Sequence, residues 1–183
     1  VGALYFYFKL GYSLIHVPAV GNFEIGLLYI PLFILVIIST ANAVNISDGL
    51  DGLSGGLLAA AFGAFGVIAL AQNNIGIAGF CFATVGAVLA YTWFNIFPAR
   101  FFMGDIGSFA LGTALGVVAM LTNSVFVLPI IGLVFVVEAG SSLIQIISKK
   151  LFKRKIFISA PIHHHLEAIG WPETKVTMRL WII

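Results

Sequence analysis

Charge is what this sequence has least of. Only 9% of its 183 residues are Asp, Glu, Lys or Arg, while 61% are hydrophobic and mean hydropathy is +1.11. A water-soluble domain carries about a quarter charged residues. Too few polar groups are present to cover a globular surface, which excludes a soluble domain and, with it, a water-exposed nucleic-acid binder. Cysteine is nearly absent: Cys81 alone rules out a disulfide framework and any cysteine-based zinc site. No charged leader precedes a short apolar core, so no secretory signal is read, and Val1 in place of an initiator methionine leads us to expect a piece of a longer protein. No G-x-x-x-x-G-K-[ST] loop occurs, which argues against ATP hydrolysis.

Long apolar runs fill the chain instead. Five are read at 25–41, 53–71, 75–97, 106–122 and 125–147, and a sixth starts at 176–183. A bilayer core about 30 Å thick needs roughly 17–25 helical residues, so each complete run is near spanning length. The expected fold is an all-α integral membrane protein, a single membrane-embedded domain over 1–183 with about five complete spans and the start of another. A short interfacial hairpin is expected within 4–22, where aromatics give way to Pro18, Gly21 and Asn22. Glycines inside the runs (Gly63, Gly66, Gly76, Gly79, Gly86, Gly112, Gly116) predict close helix–helix approach.

The connections sort by charge. Those around 72–74 and 122–124 are uncharged. The others hold Asp48, Asp51, Arg100, Asp105, Lys149, Lys150, Lys153, Arg154, Lys155, Lys175 and Arg179. Alternating spans put all these charges on one face, which the Lys and Arg excess marks as cytoplasmic, with Lys9 the exception.

Four constellations on this chain could carry chemistry. In Asn42-Ala-Val-Asn45-Ile-Ser-Asp48-Gly49-Leu50-Asp51-Gly52, a helical turn would put both carboxylates on one side; the same residues also read as a turn capping the next helix. In Asn95 to Ser108, Asp105 reads equally as a helix cap and as a ligand. Two acidic loops converging on one face would repel unless a hard divalent cation relieved them, and Mg²⁺ typically takes one or two carboxylates plus substrate phosphates. Third, His163, His164 and His165 follow a basic run; adjacent histidines cannot all reach one metal from a regular helix or strand, and a phosphate contact or lipid anchoring suits the segment. Fourth, Glu138 sits about 16 Å inside the fifth run, counted from Lys149 at 1.5 Å per residue. With Ser141, Ser142 and Gln145 it forms a polar stripe, and an intramembrane carboxylate is a functional candidate by default.

Taken in order, NAVNISDGLDGLSGG, FNIFPARFFMGDIGS and APIHHHLEAIGWPETKV, separated by apolar spans, resemble the phospho-N-acetylmuramoyl-pentapeptide transferases (translocase I, MraY), over roughly the C-terminal half of that family. The resemblance implies a polytopic enzyme of the bacterial inner membrane that moves phospho-MurNAc-pentapeptide from UDP-MurNAc-pentapeptide to undecaprenyl phosphate. It would yield lipid I and UMP with Mg²⁺, and a homodimer is left open. It also implies site residues: Asp105 as the magnesium ligand, Asp48 as an essential acid near the diphosphate, with Asn45 and Asn42 as polar neighbours. Gly49, Leu50 and Asp51 would form the uridine pocket with Phe102 as its aromatic wall, and Asn95 a further amide. His163, His164 and His165 would be the histidine motif, while Glu138 and Gln145 would border a lipid groove. The family's upstream aspartate pair and its lysine lie outside this chain, and Ile46-Ser47 replaces the commoner Leu-Thr. With the upstream helices absent, Glu138 and Gln145 are expected to face lipid without partners. Two other readings share parts of this pattern: a UDP-N-acetylhexosamine transferase acting on the same lipid, and a cation-coupled transporter with midplane carboxylates.

Overall fold

A computed structural model describes residues 1–183, and helices dominate it. A turn α1 (Gly2–Leu4) runs on as wider π-helical turns over Tyr5–Lys9 and leads into a hairpin of β1 (Leu14–Val17) and β2 (Gly21–Glu24), paired antiparallel with Leu14 opposite Glu24. The hairpin expected within 4–22 is therefore present, but shifted toward its C-terminal half, because the aromatic residues from Tyr5 are helical. Then come α2 (Tyr29–Ser47), α3 (Leu53–Ala71), α4 (Ile75–Asn95), α5 (Gly104–Leu121), α6 (Leu128–Ile131), α7 (Leu133–Phe152), α8 (Ile162–Ala168) and α9 (Glu173–Ile182).

Four helices are long and apolar enough to cross a membrane: 26–47, where a short 3₁₀ turn precedes α2, then α3, α4 and α5. This is a multi-pass membrane protein. The fifth expected span differs. It breaks at Gly132 between α6, which starts with a proline in its first turn, and α7. Buried Val134, Glu138, Ser141, Gln145 and Ser148 repeat along one face of α7, so this helix is amphipathic rather than uniformly apolar. The sixth run also differs. Its helix starts earlier, at Glu173, carries Lys175 and Arg179, and docks a buried face of Val176, Thr177 and Leu180 beside α3.

Two helix pairs make the frame. The α2–α5 contact is set by small residues: a Cβ added at Gly112 would lie 2.7 Å from both the Ala41 Cα and the Thr40 carbonyl oxygen, and one at Gly116 would lie 2.6 Å from Thr40 Oγ1. In α3–α4, a Cβ at Gly66 would meet the Phe82 ring at 2.9 Å. Lipid tails are as apolar as leucine, so such close packing, rather than hydrophobic transfer, holds membrane helices together. Gly63, Gly79 and Gly86 do not follow the expectation, since their faces open on empty space. Thr40, Thr92 and Thr122 return their hydroxyls to carbonyls of their own helices, satisfying polar groups that lipid could not.

The ends of the bundle separate cleanly. At one end the uncharged turns pair, Gln72 Nε2 donating to the Thr122 carbonyl at 2.8 Å, and the hairpin joins them through His16 N–H to Asn123 Oδ1 at 3.0 Å. The acidic loops, α8 and α9 gather at the other.

The glycine contacts make a paired prediction. Gly112→Val overpacks a backbone contact and should cost about 1–3 kcal/mol, lowering the thermal midpoint in detergent by several degrees. Gly86→Ala, facing open space, should leave it unchanged or raised. Equal effects would show that the α2–α5 contact is not the tight one.

Candidate active site

The acidic site begins where α2 ends. Asp48 follows its last turn, and the chain reverses through Gly52, whose φ of +76° suits glycine, into α3. Across from it, Gly104, also with positive φ, opens α5 and puts Asp105 in its first turn. Asn45 bridges the two helices: its Nδ2 donates to Asp105 Oδ1 at 2.9 Å and lies 3.0 Å from Ser108 Oγ. Neither acid caps a helix, because the residues at the starts of α3 and α5 make no side-chain cap. Asp48 instead accepts a short hydrogen bond from Ser54 Oγ. Burial pushes the Asp48 carboxyl above the ordinary range; the Ser54 bond works against this, and the neighbouring Asp105 charge adds to the rise.

The reading that places both carboxylates of the Asp48 loop on one side does not hold. Residues 48–52 form a turn rather than a helix, and Asp51 points away, its Oδ2 accepting the Ala99 N–H at 2.8 Å. Asp51 and Asn95 act as staples. Asn95, 2% exposed, takes the Gly52 N–H on Oδ1 at 3.0 Å and donates Nδ2 to the Phe101 carbonyl at 3.0 Å. The site therefore keeps the 48–52 and 95–105 loops in fixed register, with Asn95 as their internal brace.

Other expected residues divide in the same way. Phe102 is 70% exposed with a free ring face, while its neighbour Phe101 packs on Tyr91 and Phe94. Leu50 is buried in the core cluster, so it supports the loop from beneath. Asn42 donates to the Ile38 carbonyl of its own helix at 2.8 Å. Arg100 makes no ion pair with either acid; the ion pairs present both involve histidines.

Those histidines have three separate situations. His163 is 1% exposed, its Nδ1 2.8 Å from Oε2 of fully buried Glu138. His164 pairs with Glu167 at 2.7 Å near the surface. His165 Nδ1 accepts the Ile158 N–H at 3.2 Å. Glu138 and Gln145 are thus not exposed to lipid without partners. Gln145 Oε1 takes the Ile156 and Phe157 N–H groups at 3.0 and 3.1 Å, and its Nε2 donates to the Phe157 carbonyl at 2.8 Å. The segment after α7 folds back and supplies the partners that the expectation assigned to absent helices.

Sequence reading missed four contributors. Glu173 Oε1 accepts the Asp51 N–H at 2.7 Å, and Thr177 donates to the Asp51 carbonyl at 3.2 Å, so α9 anchors the turn. Ser54 and Ser108 bind the acids' own framework. The sequence signals, Glu-x-x-x-Thr on a polar helix and lone serines, are too common to have marked them.

No three His, Cys, Asp or Glu side chains converge into a metal cage. Two carboxylates repelling each other are the donor set a hard divalent cation uses when phosphates and water complete its shell, so the residues fit Mg²⁺.

The raised Asp48 value makes a stability prediction. A carboxyl whose native value exceeds its unfolded one makes the folded state the tighter proton binder. Its contribution grows as pH falls toward the raised value and is lost as pH rises through it. Asp48→Asn keeps an acceptor for Ser54 and removes the charge. It should melt no lower than the wild type, and up to a few degrees higher, near about pH 7, with the advantage shrinking toward about pH 5. A lower midpoint at neutral pH would show that the Asp48 charge stabilises the fold.

A family profile described as glycosyl transferase family 4 matches residues 1–123, which include both acidic loops. The chain is 48% identical over 179 residues to the phospho-N-acetylmuramoyl-pentapeptide-transferase of Chloroflexus aurantiacus, covering 93% of this chain and 49% of that protein. It is 47% identical over 167 residues to the enzyme of that name from Levilactobacillus brevis, covering 91% and 52%, and 49% identical over 162 residues to that of Bacillus thuringiensis, covering 88% and 50%. The chain spans about half the length of the curated relatives it matches. Since the matched region holds the bridge from Asn45 to Asp105 together with the loops braced by Asn95, the chain belongs to glycosyl transferase family 4, and its similarity within that family runs to the phospho-N-acetylmuramoyl-pentapeptide transferases.

Proposed function

We propose that this chain carries the nucleotide side of an enzyme that transfers phospho-MurNAc-pentapeptide from UDP-MurNAc-pentapeptide to undecaprenyl phosphate, releasing UMP and forming lipid I. The observation that carries this reading is the nearness of Asp48, just after α2, to Asp105, in the first turn of α5, where Asn45 of α2 donates to Asp105. The similarity to transferases of that name supports the substrates. The site would face the cytoplasm of a bacterial inner membrane, in keeping with the basic residues of 149–155 at the same end.

Phosphoryl transfer needs positioning and charge neutralisation more than covalent help from the protein. Asp105, exposed and held by Asn45, and Asp48 beside it would hold Mg²⁺, which when bound neutralises diphosphate charge and favours the leaving nucleotide. Asn45 fixes the rotamer of Asp105, and Ser54 that of Asp48. Phe102 offers its open face to a nucleobase, a stack worth about 1–3 kcal/mol. Asn95, Asp51 and Glu173 keep the two loops from drifting, and small displacements of reacting groups are costly. One substrate is a lipid and the other is water-soluble, so a site at the rim of the bundle serves both.

A transporter is disfavoured, since the deep carboxylate of Glu138 is sealed against His163 rather than lining a path. The hexosamine transferase keeps the same acidic loops, and the choice of nucleotide sugar separates it.

The test is UMP release by a full-length protein joining this chain to the remainder of the Chloroflexus aurantiacus relative. Release is expected with UDP-MurNAc-pentapeptide and polyprenyl phosphate, and Asp105→Asn should lower turnover by two or more orders of magnitude while the protein extracts normally. Release with UDP-N-acetylhexosamine alone, or unchanged turnover in Asp105→Asn, would overturn the proposal.

A further inference from the structure

One residue of the acidic turn is held from three directions. The Asp51 N–H donates to Glu173 Oε1 at 2.7 Å, its carbonyl accepts from Thr177 Oγ1 at 3.2 Å, and its Oδ2 takes the Ala99 N–H at 2.8 Å. Glu173 and Thr177 lie one turn apart on the same face of α9, so a single helix satisfies both backbone groups of Asp51. The next residue in that row is Trp181. A Cβ built on Gly52 would lie 3.5 Å from Trp181 Cζ2, and one on Gly56 would lie 2.3 Å from both Nε1 and Cε2, so only glycine fits beneath the indole at residue 56. Glu173, Thr177 and Trp181 thus form a stripe along α9 that grips the chain from residue 51 to residue 56.

The two ends of the turn have separate supports. The bond from the Asp51 N–H runs to a carboxylate, and charge-assisted hydrogen bonds are roughly twice as strong as neutral ones, so the Asp51 end moves with α9. At the other end, Ser54 of α3 donates to Asp48, and Asn45 of α2 donates to Asp105. The hydrogen bonds of α9 to the turn end on Asp51, and its cations Lys175 and Arg179 pair with neither acid. The carboxylates and the backbone between them are therefore held by different helices.

That backbone has groups to offer. The Gly49 and Leu50 N–H groups make no hydrogen bond within the chain, and Gly49 is exposed. The loop that Asn95 ties to this turn carries the exposed ring of Phe102. Hydrogen bonds weaken steeply as they lose alignment, so the placement of residues 49–52 sets how well these groups meet a ligand.

We infer that Glu173, Thr177 and Trp181 are positioning residues for the nucleoside half of the substrate: the α9 stripe fixes the 49–52 backbone and so sets nucleoside affinity, while cation binding at Asp48 and Asp105 depends on α2, α3 and α5. The inference rests on the nucleotide-side reading above. It gives α9, which adds no acid or base to the site, a part in recognition.

Calorimetric titration of the joined full-length protein with uridine and with UMP, beside Mn²⁺ binding, tests it. Glu173→Ala strands the Asp51 N–H and should weaken uridine and UMP alike by about tenfold, the scale of a donor left without its acceptor. Glu173→Gln keeps an acceptor oxygen and should hold both within about threefold of wild type. Thr177→Val should weaken both ligands, and Thr177→Ser should restore them. Gly56→Ala drives a methyl group into the indole, so it should weaken uridine on its own and add nothing once Trp181→Ala has removed the ring. Mn²⁺ affinity is expected to stay at the wild-type value throughout, which also shows that each variant is folded. Equal uridine losses in the Ala and Gln variants, no loss in any variant, loss confined to UMP, parallel loss of Mn²⁺, or multiplying losses in the Gly56–Trp181 pair would overturn the assignment. Hydrogen exchange of the 49–52 amides gives a readout without ligand: faster exchange is expected in Glu173→Ala than in Glu173→Gln, and equal exchange refutes the grip of α9. Wild-type protein that binds neither uridine nor UMP would overturn the nucleotide reading, while the exchange rates still decide whether α9 holds the turn.

Discussion

The arrangement depends on one contact, the backbone-to-backbone approach of α2 and α5 at Gly112 and Gly116. Because those residues lack side chains, Thr40 and Ala41 can lie against α5, and the antiparallel register is then set. Moving forward one turn in α2 reaches Asn45, and moving back along α5 reaches Ser108 and Asp105, which is where the bridging hydrogen bonds form. A larger residue at either glycine would push the helices apart and draw the amide of Asn45 away from Asp105. The chemistry at the rim is therefore fixed by packing at the middle of the bundle.

The second tier of constraint is polar. Asn95, Asp51, Glu173 and Gln145 each spend their hydrogen-bonding groups on loop backbone. At the end of a membrane bundle this matters doubly, because irregular backbone is tolerated only where its N–H and C=O groups find partners in protein or water. The result is a rigid floor under two exposed features, the Asp105 carboxylate and the Phe102 ring. The floor carries a cost at Asp48, where burial and a like charge oppose ionisation. Such a cost is the expected mark of a site selected for function over stability.

Much of this was legible in the sequence, and the reasons differ by residue. Hydropathy located α3 to the residue and α4 and α5 to within two residues, because each is apolar all round, but ended the first span six residues short of Ser47, where Asn42, Asn45 and Ser47 turn the helix polar. It failed for α7, where the chain breaks at Gly132 and the helix beyond carries a polar face, and for α9, where reading began after its charged first turn. The acidic loops stood out because carboxylates are scarce in an apolar chain, and the order of motifs tied them to a family. Which residues serve as ligands and which as braces did not follow: Asp51 and Asn95 resemble Asp48 and Asn45 in type and spacing, and only tertiary contacts separate them. The pairing of Glu138 with His163, 25 residues apart, and of Gln145 with the loop beyond α7 is likewise a product of a chain reversal that no local pattern encodes.

We propose that Asp48 and Asp105, brought together by the α2–α5 contact, would form one divalent-cation site. Electron paramagnetic resonance of Mn²⁺ added to the purified chain, with Mg²⁺ as competitor, measures this directly. The account predicts a bound Mn²⁺ signal that Mg²⁺ displaces and that Asp48→Asn and Asp105→Asn each weaken strongly. Mn²⁺ binding left intact in both variants would contradict it.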